Sequence, residues 1–105
     1  MSIEVSVDKG MCRTRIDGEM TIYTVNAYRQ ALLEQGRGCV AMEVDLAGVT
    51  EMDTAGLQLL IALSKQTAKT DTVLFLSNLS ERVAEVLALT ELTADLTDGQ
   101  QGDGA

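Results

Sequence analysis

The chain has 105 residues, of which 46% are hydrophobic, and a formal net charge of −8 with no histidine. That length suits a single domain, and such a domain buries roughly 65% of the surface its unfolded chain exposes. The acidic balance argues against a nucleic-acid footprint, because the eight Lys and Arg residues are scattered and never adjacent.

Residues 3–7 alternate apolar and polar, the pattern of a strand with one solvated face. Asp8-Lys9-Gly10 signals a turn. Residues 11–17 alternate again, with Cys12, Thr14 and Ile16 on one face and Arg13, Arg15 and Asp17 on the other, so the two strands should form a hairpin. Gly18 is expected to end the second strand. Thr24 reads as a helix N-cap, followed at helical spacing by Val25, Tyr28, Leu32 and Leu33, with Gly36 and Gly38 as the stop.

Residues 40–46 alternate most clearly. Val40, Met42, Val44 and Leu46 face one way, and Ala41, Glu43 and Asp45 the other. Two acids on one face place the helices mainly against the opposite face. A short loop, Ala47 to Glu51, should lead to a helix that begins near Asp53 or Thr54 and runs to about Thr67. Its early turns are apolar almost all round, as in a deeply buried helix or one that carries a partner surface. Residues 72–76 form a continuous apolar run expected to be a central strand. Ser80 is a plausible N-cap for a third helix with a stripe of Val83, Val86 and Leu87. A short apolar piece from Leu89 to Leu96 should close the fold, leaving 97–105 as a disordered acidic tail. The order β-β-α-β-α-β-α implies an α/β domain with parallel neighbours and right-handed crossovers.

With two Tyr, one Phe and no Trp, the core must be aliphatic. Cys12 and Cys39 form no C-x-x-C and lack other zinc ligands, so they are expected to be reduced, buried thiols, with no metal bound. Early charges at Glu4, Asp8 and Lys9 give the expectation of no signal peptide, and no apolar run is long enough to span a membrane. A cytoplasmic location is the expectation.

Without histidine, Ser-His-Asp and Cys-His catalysis are excluded, and no Gly-rich phosphate cradle occurs. Asp45 and Asp53 could meet as a strand end and a helix start, but two solvated acids are the simpler reading. No catalytic residue and no cofactor are expected. The informative stretch is Asp45-Leu46 followed by the loop and then Met52-Asp53-Thr54-Ala55-Gly56-Leu57. Gly56 costs about 1 kcal/mol inside a helix relative to Ala. Its presence implies that a neighbouring backbone, or a partner, comes close to the first turn.

This stretch resembles the signature of STAS domains, found in bacterial anti-sigma factor antagonists and in anion-transporter tails. The Gly18-Glu19-Met20 step and the Ser77-Asn78 step support the resemblance, which covers about residues 3–96. It implies a four-stranded mixed sheet with helices wound as βα units. It also implies a regulatory binding domain in signal transduction, acting on transcription, rather than an enzyme. In antagonists of this family the hydroxyl residue after the Asp is phosphorylated by an anti-sigma kinase, and here that residue is Thr54. By the same resemblance the partner-binding residues are Glu19, Thr21, Asp53, Thr54, Ala55, Gly56, Leu57, Ser77 and Asn78. The partner would be a serine/threonine kinase-type anti-sigma factor. The alternative is a STAS subunit of a lipid-trafficking ABC transporter, bound to the other subunits without phosphorylation or membrane insertion. The domain itself would be a monomer or weak dimer. Many antagonists carry Ser where this chain has Thr54. The family often reads Gly-Glu-Leu-Asp where this chain reads Gly18-Glu19-Met20-Thr21.

Overall fold

The computed structural model describes residues 1–89, so the apolar piece after Leu89, the boundary at 96 and the tail lie outside the described residues. Within them the elements are β1 (Ser2–Asp8), β2 (Met11–Met20), α1 (Val25–Gln35), β3 (Ala41–Met52), α2 (Thr54–Lys69), β4 (Val73–Ser77) and α3 (Glu81–Ala88). The strands form one mixed sheet in the order β1-β2-β3-β4. The hairpin β1–β2 is antiparallel and closes through Lys9 and Gly10, both at positive φ. The β2–β3 and β3–β4 pairs are parallel, as their helical crossovers require.

The expected alternation decides which face is covered. Cys12, Thr14 and Ile16 of β2, Met42, Val44 and Leu46 of β3, and Leu76 of β4 are all buried. They pack with Val25 and Leu32 of α1, Leu59, Leu60 and Leu63 of α2, and Val83 and Leu87 of α3 in one core. The other sheet face carries Arg13 and Glu43, ion-paired at 3.1 Å. Asp45 and Asp53 do not pair: Asp45 Oδ1 accepts from the Ala47 N–H, and Asp53 serves α2.

Four expectations need correction. Gly18 does not end β2. It adopts φ 92°, a conformation open to glycine at no steric cost, and the strand runs on to Met20 with register shifts on either side. The expected loop 47–51 is strand, because the prolonged β2 gives those residues a hydrogen-bonding partner: Gly48 pairs with Asp17 and Met52 with Met20. Val40 precedes β3 and is 72% exposed, rather than sharing the buried face of Met42. Among the described residues β4 lies at the sheet edge, not its centre. An apolar run reports how well a strand's faces are covered, not how many strands flank it; Phe75 on the outer side is half-buried, whereas Val73 is exposed.

The cysteines are the fifth departure. Cys12 and Cys39 are joined by a disulfide, with Cα atoms 6.0 Å apart. Parallel pairing sets Cys12 beside Met42, and the turn after α1 brings Cys39 back just ahead of β3. The separation is within the usual range for a bridged pair. The sequence spacing of 27 carries no hint of this proximity.

Gly56 behaves as its oddity implied. A Cβ there would collide with the Met20 carbonyl oxygen and lie 3.0 Å from the Met20 Cβ. That carbonyl also accepts from the Asp53 N–H at 3.3 Å. Gly56→Ala should therefore destabilise the domain by about 2 kcal/mol, the scale of overpacking against backbone, even though Ala is the better helix former. Urea unfolding should show a lower midpoint with an unchanged slope. A variant as stable as the parent would refute the close approach.

Candidate functional site

Asp53 follows β3 and caps α2. Its backbone is extended, with φ −119° and ψ −170°, and its Oδ1 accepts from the N–H groups of Ala55 at 2.9 Å and Gly56 at 3.2 Å. These are two of the donors that a helix start leaves unpaired. The other carboxylate oxygen, Oδ2, accepts from the Ile22 N–H at 3.0 Å. One side chain thus clamps the β2–α1 connection to the α2 N-terminus. The Ile22 hydrogen bond, followed by those from Gly56 and Ala55, holds the Asp53 carboxyl below its ordinary range against the opposing effect of desolvation.

The connection itself is braced by Thr24. Its hydroxyl does not cap α1 as expected. It accepts from the Thr21 N–H at 3.0 Å and lies 2.7 Å from the Glu19 carbonyl, to which it donates. The Thr24 and Val25 N–H groups both donate to the Thr21 carbonyl at 2.9 Å. This tight turn buries Thr21 and pushes the next two side chains outward: Ile22 is 61% exposed and Tyr23 92%. Sequence reading missed this pair. The signal available to it was two bulky residues between the end of one alternating strand and the start of a helix.

Thr54 is the first residue of α2 and is exposed. Its hydroxyl makes no hydrogen bond with the described residues. Ala55 is half-buried, while Gly56 and Leu57 are buried under the turn. Glu19 is exposed and paired in register with Glu51, at the same end of the sheet. Glu51 in turn meets Arg82 of α3, with Nε and Oε1 2.6 Å apart. That hydrogen bond lowers the Glu51 pKa and raises that of Arg82. Arg82 is a second residue that sequence reading did not place here, because only the packing of α3 beside the far half of β3 brings it in.

Ser77 and Asn78 stand elsewhere. Ser77 pairs in register with Asp45 and donates its hydroxyl to Glu43 Oε2 at 2.7 Å. From Asp45 to Met52 β3 runs on for about 20 Å of strand before α2 begins. Asn78 is exposed, with φ 50°, in the turn toward α3. Ser80 caps α3 as expected, accepting from the Val83 N–H at 3.2 Å.

The described residues hold no group of three or more metal-ligating side chains, and no helix among them is long and apolar enough to cross a membrane.

The anti-sigma-B factor antagonist of Staphylococcus epidermidis is 28% identical over 93 residues, covering 88% of this chain and 86% of that one. The fold is that of the anti-sigma factor antagonist SpoIIAA, solved in its unphosphorylated form: TM-score 0.72, 19% identity, 87% of this chain and 82% of SpoIIAA. It is also that of part of the murine anion transporter Slc26a9 in the inward-facing state. There the TM-score is 0.71 at 19% identity, over 87% of this chain but 15% of the transporter. The family model for the STAS domain matches residues 2–98, and this chain belongs to the STAS domain family.

Proposed function

We propose that this domain is a non-enzymatic, anti-sigma factor antagonist-like switch that binds a serine/threonine kinase-type anti-sigma factor and is released when Thr54 is phosphorylated. The observation that carries this reading is Thr54, exposed at the start of α2, with a hydroxyl that makes no hydrogen bond with the described residues. An acceptor must be open to a kinase, and a switch residue must lie where a partner sits. Ile22 and Tyr23 supply the apolar part of that contact, and Asp53, the residue before Thr54, holds their turn through the Ile22 N–H. Aromatic side chains such as Tyr23 are among the usual anchors of a protein interface. Glu19, Thr21, Ala55, Gly56 and Leu57 shape the same region; Ser77 and Asn78 contribute only if the partner also reaches the far end of β4.

Asp53 already occupies two of the N–H groups that a phosphate would otherwise use. The modification therefore gains little within the domain, and its weight falls on the partner. The test is intact-mass measurement after incubation with ATP and an extract of cells that express the chain natively. One phosphate on the wild type and none on Thr54→Ala is the expected result. No phosphate on either protein would overturn the switch and favour a passive module, such as a lipid-transporter subunit docking through Ile22 and Tyr23 alone.

A further inference from the structure

We propose that β1 is also a homotypic docking edge, pairing antiparallel with β1 of a second copy to form a continuous eight-stranded sheet. Among the described residues β1 has a strand on one side only, and its register with β2 is regular from Ser2 to Asp8. The chain has no proline, and β1 carries neither a lysine nor a bulge; its only edge charges are Glu4 and Asp8, whose placement the pairing must accommodate. On its helix-side face Val5 is 53% exposed and Val7 65%. Val5 borders an apolar groove of about 320 Å³ that also takes in Ile3, Tyr28 and Leu32.

Charge decides the occupant and the register. An antiparallel pair keeps both helical layers on one side of the sheet only if apolar residues oppose apolar ones, which leaves registers that differ by two residues. A two-fold axis at Val5 sets Ile3 against Val7 of the second copy, Glu4 against Ser6 and Ser2 against Asp8. All seven residues of β1 pair, and no acid faces an acid. A two-fold axis at Glu4 puts Glu4 against Glu4, and one at Ser6 puts Glu4 against Asp8. Like charges directly opposite are destabilising, so the neighbouring registers are disfavoured. The favoured register also extends a charge ladder across the junction. Glu4 lies beside its own Arg15, and Ser6 beside its own Arg13, on the outer face. Each Glu4 therefore sits between Arg15 of its own chain and, across Ser6, Arg13 of the second copy.

Sedimentation equilibrium of the full chain over a wide concentration range tests this. The wild type should show a reversible monomer–dimer equilibrium. Val5→Lys, a change at an already exposed position, should remain monomeric. Ser6→Glu faces Arg13 within its own chain, so the monomer keeps its fold. In the dimer it opposes Glu4 twice and should weaken association at least about tenfold. A wild type that is monomeric throughout would overturn the proposal, as would a dimer that both substitutions leave unchanged. If Val5→Lys melts early, Ser6→Glu alone decides. Phosphorylation of Thr54 does not enter the measurement, so the edge and the switch stand or fall separately.

Discussion

Reducing the Cys12–Cys39 bond, or replacing both residues with serine, should lower the unfolding free energy by roughly 3–4 kcal/mol, the loop-entropy value for a closed segment of this length. The sequence separation is 27 residues, and the loop holds all of α1. In the unfolded chain the link removes the freedom of that segment; in the folded chain it ties the turn after α1 to the start of β2. The same turn is held by the Thr72 hydroxyl, 3.0 Å from the Cys39 carbonyl, so the native backbone survives without the bond. The loss is therefore expected in stability and not in fold. For a domain of this size it corresponds to a melting temperature lower by more than about 12 °C. The measurement is thermal unfolding with and without reductant. The wild type should fall to the level of the double-serine variant, which should not respond. A thiol assay on denatured, unreduced protein should find no free thiol. Two free thiols, or a wild type indifferent to reductant, would show that the bond is not formed. In a reducing compartment the same two sulfurs would stand as a thiol pair, and this stabilisation would be absent.

The second large effect belongs to Thr54→Glu. It should weaken partner binding more than a hundredfold while shifting the melting temperature by no more than about 2 °C. Folding is insensitive because Thr54 is exposed and Asp53, not Thr54, caps α2. For the same reason Thr54→Ala should cost less than about 0.5 kcal/mol, the range of an ordinary surface substitution. An anion at this position gains on the order of 0.3–1 kcal/mol from the helix dipole, and the neighbouring Asp53 and Glu51 oppose that gain. Arg82 engages Glu51 and Glu85, so it is not a waiting phosphate partner. Binding is sensitive because a charge buried without a cation in a packed contact costs several kcal/mol. Affinity for the anti-sigma factor proposed above as its partner, read beside thermal melts of the same variants, separates the two. Equal losses in binding and stability would count against a switch.

Much of the fold can be read from local pattern. The hairpin, three helices, the covered face of β2 and β3, and the Ser80 cap all follow from period-two and period-3.6 alternation and from turn chemistry, which act within a few residues. The Asp53-Thr54-Ala55-Gly56-Leu57 run points to the candidate site, and Gly56 signals a close approach, because a glycine that weakens a helix needs a steric reason.

What the sequence could not determine depends on which segments meet across the sheet. β2 and β3 extend past Gly18 and Ala47 because each supplies the other's hydrogen bonds. β4 is an edge because strand order is set by crossovers and not by its own composition. Asp53 reaches Ile22, Arg82 reaches Glu51 and Cys12 reaches Cys39 over separations of about thirty residues. A local pattern reports only how a segment divides its faces between core and water; the partner across the gap is chosen when the parallel sheet closes.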